Sequence, residues 1–350
     1  MRKSKEIKVG NVLIGGNNPI TVQSMTNTDT ADFNSTFNQI VDLQNAGCDI
    51  VRLAVNNDLD VESCKKLLTK VSVPLVADIQ FDYRLAIKCS DIGFSKVRFN
   101  PGNIGSTQKV KELVDACKSN KTTIRIGVNS GSLDKKISSI YGFGADAMFK
   151  SVEENVRLLE NLGFYDIILS AKSSSVSTTI ETYRKLSTFE YPLHVGVTES
   201  GYSTMGLIKS AIGIGSLLND GVGDTIRVSL TGNPVNEVYA GKDILKSLGL
   251  LDQYCEIVSC PTCSRCKYDL ESIVKELTIY TKDVKKKLKI AAMGCVVNGP
   301  GEAKDADFGF AGGANGEAVV FVKGNIVKKI KYDEIISEMK RMVDEFWFLH

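Results

Sequence analysis

One unit recurs along the first two-thirds of the chain, and it leaves few folds open. Ala46-Gly-Cys-Asp-Ile-Val-Arg-Leu53 is answered by Ile92-Gly-Phe-Ser-Lys-Val-Arg-Phe99 and by Leu162-Gly-Phe-Tyr-Asp-Ile-Ile-Leu169. Each reads as a helix end, a glycine cap, a short loop and a strand. Upstream lie apolar residues at helical spacing, such as Phe33, Phe37, Ile40 and Val41, or Val152, Val156, Leu159 and Leu162. Short β-branched runs fall at Ile20–Met25, Ile50–Ala54, Pro74–Ile79, Lys96–Asn100, Thr123–Val128, Asp166–Ala171, Leu193–Thr198 and Thr225–Leu230. Eight strands alternating with helices predict an α/β fold of the (β/α)8 TIM type. A doubly wound open sheet is the competitor, but no G-x-G-x-x-G follows the first strand.

After a helix predicted near Pro234–Leu248 the pattern changes. A short strand leads into a cysteine loop, followed by a helix near Glu271–Lys282 and a strand near Leu288–Met293. A Gly-rich stretch, a hairpin around Gly324-Asn325 and a last helix complete it. The expected division is a barrel over 1–253 and a smaller α+β domain over 254–350, joined near Leu251–Tyr254.

Charge narrows the class of partner. Forty-three basic side chains against 41 acidic ones give a net +2, with no sign of a nucleic-acid or membrane-surface partner. No apolar run reaches spanning length, and the opening residues lack the apolar core of a signal peptide. The expected location is the cytoplasm, where structural disulfides are rare. The nine cysteines therefore need another use.

Cys48, Cys64, Cys89 and Cys117 lie on or beside apolar stripes and read as small core residues. Cys260-Pro-Thr-Cys263-Ser-Arg-Cys266 is different, because two thiolates three positions apart on a turn can face one metal centre. Cys295 lies in Met293-Gly-Cys-Val-Val-Asn-Gly-Pro-Gly-Glu302, a loop able to bend around a bulky object. An iron–sulfur cluster fits this pattern, and so does a zinc knot of four sulfurs. Glu302 ends the loop, and a carboxylate is a harder, more exchangeable ligand than a thiolate. Cys255, in a strand leading into the loop, reads as packing.

Four barrel strands carry an arginine in one setting: Arg52, Arg98, Arg125 and Arg227. Alternation turns the branched neighbours toward the helices and the arginines toward the barrel axis. Two positions on, the same face carries Ala54, Asn100, Gly127 and Ser229, small or polar residues suited to a ligand chamber. Lys172 adds a fifth cation. Asp78 and Glu199 are the carboxylates placed to neutralise an arginine, which leaves an excess suited to a phosphate or diphosphate. Walker and G-x-S-x-G motifs are absent. His194 reads as a polar core residue, and the basic Lys282–Lys289 run as a solvated helix face or a landing for an acidic electron donor.

Cys260-Pro-Thr-Cys263 together with Met293–Glu302 closely resembles the cluster motif of the bacterial 4-hydroxy-3-methylbut-2-enyl diphosphate synthase family. So do Thr21-Val-Gln-Ser-Met-Thr-Asn-Thr-Asp-Thr30, Val97-Arg-Phe-Asn-Pro-Gly-Asn-Ile-Gly105 and Arg125-Ile-Gly-Val-Asn129. The resemblance runs from about residue 5 to 345. It implies reductive opening and dehydroxylation of 2-C-methyl-D-erythritol 2,4-cyclodiphosphate in the methylerythritol phosphate route to isoprenoids. It also implies a [4Fe–4S] cluster held by Cys260, Cys263, Cys295 and Glu302, fed by flavodoxin or ferredoxin, in a homodimer. Arg52, Arg98, Arg125, Lys172 and Ser229 match the family's substrate-binding residues, and Asn100, Asp78 and His194 are grouped with them. Asn129 and Glu199 match residues near the reacting carbons, with Glu199 a candidate proton donor. Cys266 is not a family ligand, and the large inserted domain of plant members is missing. The alternatives are a zinc-stapled barrel acting as a binding module and a pterin-dependent methyltransferase, a class that also uses anion-binding barrels.

Overall fold

A computed structural model describes residues 2–100, 106–282, 284, 286–296 and 304–348. The chain divides into two compact units, Met1–Leu250 and Leu251–His350. Unit 1 opens with a hairpin of β1 (Ile7–Val9) and β2 (Val12–Ile14). Eight parallel strands follow: β3 (Thr21–Met25), β4 (Ile50–Ala54), β5 (Leu75–Asp78), β6 (Lys96–Phe99), β7 (Thr123–Asn129), β8 (Ile167–Lys172), β9 (His194–Val195) and β10 (Thr225–Ile226). Their order, β8-β7-β6-β5-β4-β3-β10-β9, is closed by a parallel bridge between Leu169 and Leu193. With a helix between most successive strands, this is the TIM-type barrel that the repeat predicts.

The recurring glycine has a conformational cause. Gly47, Gly93, Gly163 and Gly221 all have positive φ, between 68° and 104°, which is costly for a side chain bearing Cβ. At each, the next residue's N–H bonds back five positions: Cys48 to Leu43, Phe94 to Cys89, Phe164 to Leu159 and Val222 to Leu217. These are Schellman turns that end a helix and aim the chain into a strand. On the return side, Asp32, Asn57, Asp82, Ser106 and Ser175 cap the helix starts by accepting from backbone N–H groups.

β9 and β10 are shorter than their apolar runs. After Val195 the chain passes Gly196, where a Cβ would lie 2.4 Å from the Arg227 carbonyl oxygen, so close approach of two backbones replaces a regular ladder. The β1–β2 hairpin was not anticipated. Ile7, Val9 and Ile14 pack on Ile50, Val76 and Ile168 and close the floor of the barrel. Its signal was present in Gly10-Asn11 between two apolar runs.

Unit 2 is a five-stranded sheet in the order β11 (Cys255–Ser259), β12 (Leu288–Met293), β13 (Phe308–Gly312), β14 (Glu317–Val322) and β15 (Asn325–Lys331). The first three strands are parallel and the last three antiparallel. Helices Leu270–Tyr280 and Ile335–Phe348 cover one face through Leu270, Ile273, Leu277, Ile335, Met339 and Val343. Among the described residues no helix is long and apolar enough to cross a membrane.

Candidate functional sites

In unit 1, alternation sends Arg52, Lys96, Arg98, Arg125, Lys172 and Arg227 into the barrel. All but Arg227 are buried. Asp78, on β5, is the counter-ion of two of them. Arg98 Nη1 donates to Asp78 Oδ1 at 2.9 Å, and Arg52 Nε lies 3.8 Å from Oδ2. Burial pushes the Asp78 carboxyl up, but Arg52, Arg98 and Arg125 together hold it below the usual carboxylate range. Arg227 is met by Glu237, which also accepts from Ser24 Oγ and the Leu230 N–H. Sequence reasoning placed Glu199 in such a role and missed Glu237. Glu199 is instead exposed, and Glu237 reaches inward from helix Val235–Ser247. A helical glutamate outside the strands carried no periodic signal that could have found it.

Among the described residues Arg125 and Lys172 have no carboxylate of their own. Lys172 Nζ lies 3.4 Å from His194 Nε2, and His194 Nδ1 lies 3.4 Å from Thr225 Oγ1. Burial, then Lys172 and Arg125, drives the His194 imidazole well below its ordinary value, so it is neutral at pH 7. Burial lowers both Lys172 and Arg125, with Arg125, Arg227 and Arg52 adding to it at Lys172 and Arg52 and Arg98 at Arg125. The small residues of this face have a specific use. A Cβ on Gly127 would sit 2.2 Å from Arg98 Nε, and one on Gly196 would sit 2.6 Å from Lys172 Nζ. These glycines leave room for cationic side chains to cross the barrel.

At the C-terminal strand ends, Asn100 is buried and accepts from Asn155 Nδ2 at 3.3 Å. Asn129 ends β7 in register with Lys172 of β8. Ser229 is half-buried beyond β10. Glu199 has a left-handed backbone, φ 51°, a strain tolerated mainly where a side chain must be presented. The inward face and the strand ends of one barrel thus gather Arg52, Arg98, Arg125, Lys172, Asp78, Asn100, Asn129 and Ser229, which can grip a multiply charged phosphate ligand. Residues 101–105 of the Asn100 loop lie outside the described residues.

In unit 2, β11 and β12 are parallel neighbours, so their C-terminal ends bring Cys260 beside Gly294 and Cys295. The Gly294 N–H donates to Cys260 Sγ at 3.1 Å, across 34 residues of chain. A Cβ on Gly294 would lie 3.1 Å from Cys266 Sγ and 3.5 Å from Cys260 Sγ, so glycine keeps the space between sulfurs open. The Arg265 guanidinium stands by the Cys263 and Cys295 thiols, whose charge raises it. A backbone hydrogen bond at Arg265 lowers Cys263, and the guanidinium charge adds to the effect. Cys266 donates to the Tyr268 carbonyl at 3.2 Å. It stands among the other sulfurs rather than apart from them. Among the described residues no three His, Cys, Asp or Glu side chains stand at metal-holding distance, and Glu302 lies outside those residues. The donors among the described residues are sulfurs, with the Gly294 N–H and the Arg265 guanidinium beside them, which fits a thiolate-bound cluster.

The remaining cysteines have other surroundings. Cys48, Cys64, Cys89 and Cys117 are buried in unit 1, and burial pushes the Cys48, Cys64 and Cys117 thiols up to about 12. Cys255 packs against the core of unit 2.

Comparison with known proteins finds one family across both units. The GcpE TIM-barrel domain matches residues 4–242, and the GcpE protein C-terminal domain matches residues 256–345. A protein of Clostridium perfringens called 4-hydroxy-3-methylbut-2-en-1-yl diphosphate synthase (flavodoxin) is 52% identical over 98% of this chain and 99% of its own. One of the same description from Caldanaerobacter subterraneus subsp. tengcongensis is 53% identical over 99% of both. Among solved structures, dihydropteroate synthase from Stenotrophomonas maltophilia covers 70% of this chain and 97% of its own, with TM-score 0.52 at 11% identity. That likeness is one of barrel fold alone.

Proposed function

The chain belongs to the GcpE family, and from that premise we propose that it opens 2-C-methyl-D-erythritol 2,4-cyclodiphosphate reductively and removes a hydroxyl as water. The product is (E)-4-hydroxy-3-methylbut-2-enyl diphosphate. One observation carries the reading. The barrel interior holds the cations Arg52, Arg98, Arg125, Lys172 and Arg227 against the carboxylates Asp78 and Glu237. A cyclic diphosphate, charged on both phosphates, supplies the missing counter-charge. Neither the zinc-stapled binding module nor the pterin-dependent methyltransferase finds support in the family match.

In this reading Arg52, Arg98, Arg125, Lys172 and Ser229 bind the diphosphate. Asp78 orients Arg52 and Arg98, and neutral His194 steadies Lys172. Asn100 and Asn129 line the strand ends near the sugar carbons. Glu199 protonates the departing hydroxyl. Cys260, Cys263, Cys295 and Glu302 hold a [4Fe–4S] cluster. When bound, such a cluster supplies electrons singly to the two-electron reduction.

The electron donor is flavodoxin, as the relatives' descriptions state of them, with ferredoxin the other candidate. A homodimer is supported by helix Ser203–Asn219, which leaves Met205, Ile208 and Ile212 exposed in a stripe beside Tyr239. Nine free cysteines support a reducing, cytoplasmic setting.

The test is anaerobic purification, metal analysis and turnover of the cyclodiphosphate with a reduced viologen. About four irons per chain are expected. Glu302→Ala should keep its iron, held by three thiolates, and lose most turnover. A colourless protein with one zinc, or an unchanged rate in Glu302→Ala, would refute the assignment.

A further inference from the structure

Lys96 has no role in the chemistry above. It is fully buried on β6, and among the described residues its Nζ has no hydrogen-bond partner. Its setting is short of acceptors. Among the described residues Arg125, on neighbouring β7 and on the same inward face, leaves Nε and Nη1 unpartnered. Below them the floor is apolar, formed by Ile50, Val76, Ile168 and the β1–β2 hairpin. Asp78, the inward carboxylate nearest in sequence, is already engaged by Arg98 and Arg52. The charges acting on Lys96 are those of Arg125 and Arg52, both cations.

Two ordinary remedies fall short. A neutral amine would remove one charge but would leave Arg125 without acceptors. Water could satisfy donors, yet it offsets no charge in a dry interior. A small anion does both.

We propose that the barrel encloses a second anion site beneath the diphosphate tier, in which Lys96 and Arg125 bind a single halide-sized inorganic anion. It rests on the geometry of the barrel and not on the reaction. Its role is to hold the inner edge of Arg125 while the outer edge meets substrate, which makes Lys96 a positioning residue.

Bromide is the probe. Crystals of the iron-loaded enzyme soaked in bromide should show an anomalous peak within hydrogen-bonding distance of Lys96 Nζ and Arg125, retained when pyrophosphate is added. In solution, bromide replacing gluconate at constant ionic strength should raise the wild-type Tm by roughly 2–4 °C at ten times its Kd. Lys96→Met should lose that response. Water alone at the position, a peak displaced by pyrophosphate, or an equal response in Lys96→Met would each overturn the site. If Lys96→Met does not fold, the diffraction result on the unmodified enzyme decides. Pyrophosphate binding without a bromide peak would sink this inference and leave the diphosphate reading standing.

Discussion

Asp78 governs the charge of the chamber at the scale of a single residue. It holds Arg98 at 2.9 Å and faces Arg52, and all three groups are buried. Removing one partner of such a set leaves buried charge uncompensated, so Asp78→Asn should cost about 3–5 kcal/mol in denaturant unfolding. The pH dependence has a definite sign. The folded carboxyl titrates below its unfolded value, so its contribution is complete above about pH 4 and is lost as pH falls through the folded pKa. The gap between wild type and Asp78→Asn should therefore narrow in acid. A gap that stays constant from pH 7 to pH 3 would show that the carboxylate charge is not what stabilises the arginines.

Elements translate these residues into geometry. β7 can pass Arg98 only because Gly127 has no side chain. Gly127→Ala should push the guanidinium off Asp78 and the Gly127 carbonyl, which it contacts at 2.9 and 3.3 Å. The loss of a charge-assisted hydrogen bond, about 1.5–3 kcal/mol, should raise KM by roughly tenfold or more. Steady-state kinetics with an unaltered KM would refute it. Helix Ser203–Asn219 makes a separate prediction: Ile208→Asp should turn a dimer into a monomer by sedimentation, while a dimeric variant would move the interface elsewhere.

The same elements show what was readable. Glycine caps and β-branched runs are local signals, and eight strands followed from them with ends displaced by only a residue or two, except where β9 and β10 break off. The inward arginines followed from alternation. Lys96 did not, because a lysine opening a strand reads as solvated and only barrel closure buries it. Glu237 was hidden for a related reason, since its partner Arg227 lies on another element and pairing across elements leaves no periodicity.

At the scale of the whole molecule, a net charge of +2 conceals a strong separation of charge. Six cationic side chains face two carboxylates within the barrel, a formal +4 that exceeds the net charge, so the rest of the chain carries about −2. In the proposed reading the binding energy for a diphosphate resides on strands of unit 1, whereas the sulfurs proposed to receive iron belong to β11, β12 and their loops in unit 2. Pyrophosphate carries the charged part of the substrate without its carbon skeleton. Its Kd should change by less than about twofold when iron is removed, because none of its proposed ligands lies in unit 2. Hydrogen exchange on the full chain should show pyrophosphate slowing β4–β8 with or without iron. Iron should instead slow the segments flanking Cys260 and Cys295, with or without pyrophosphate. Protection of β4–β8 that required iron would show that the anion chamber is not complete within the barrel.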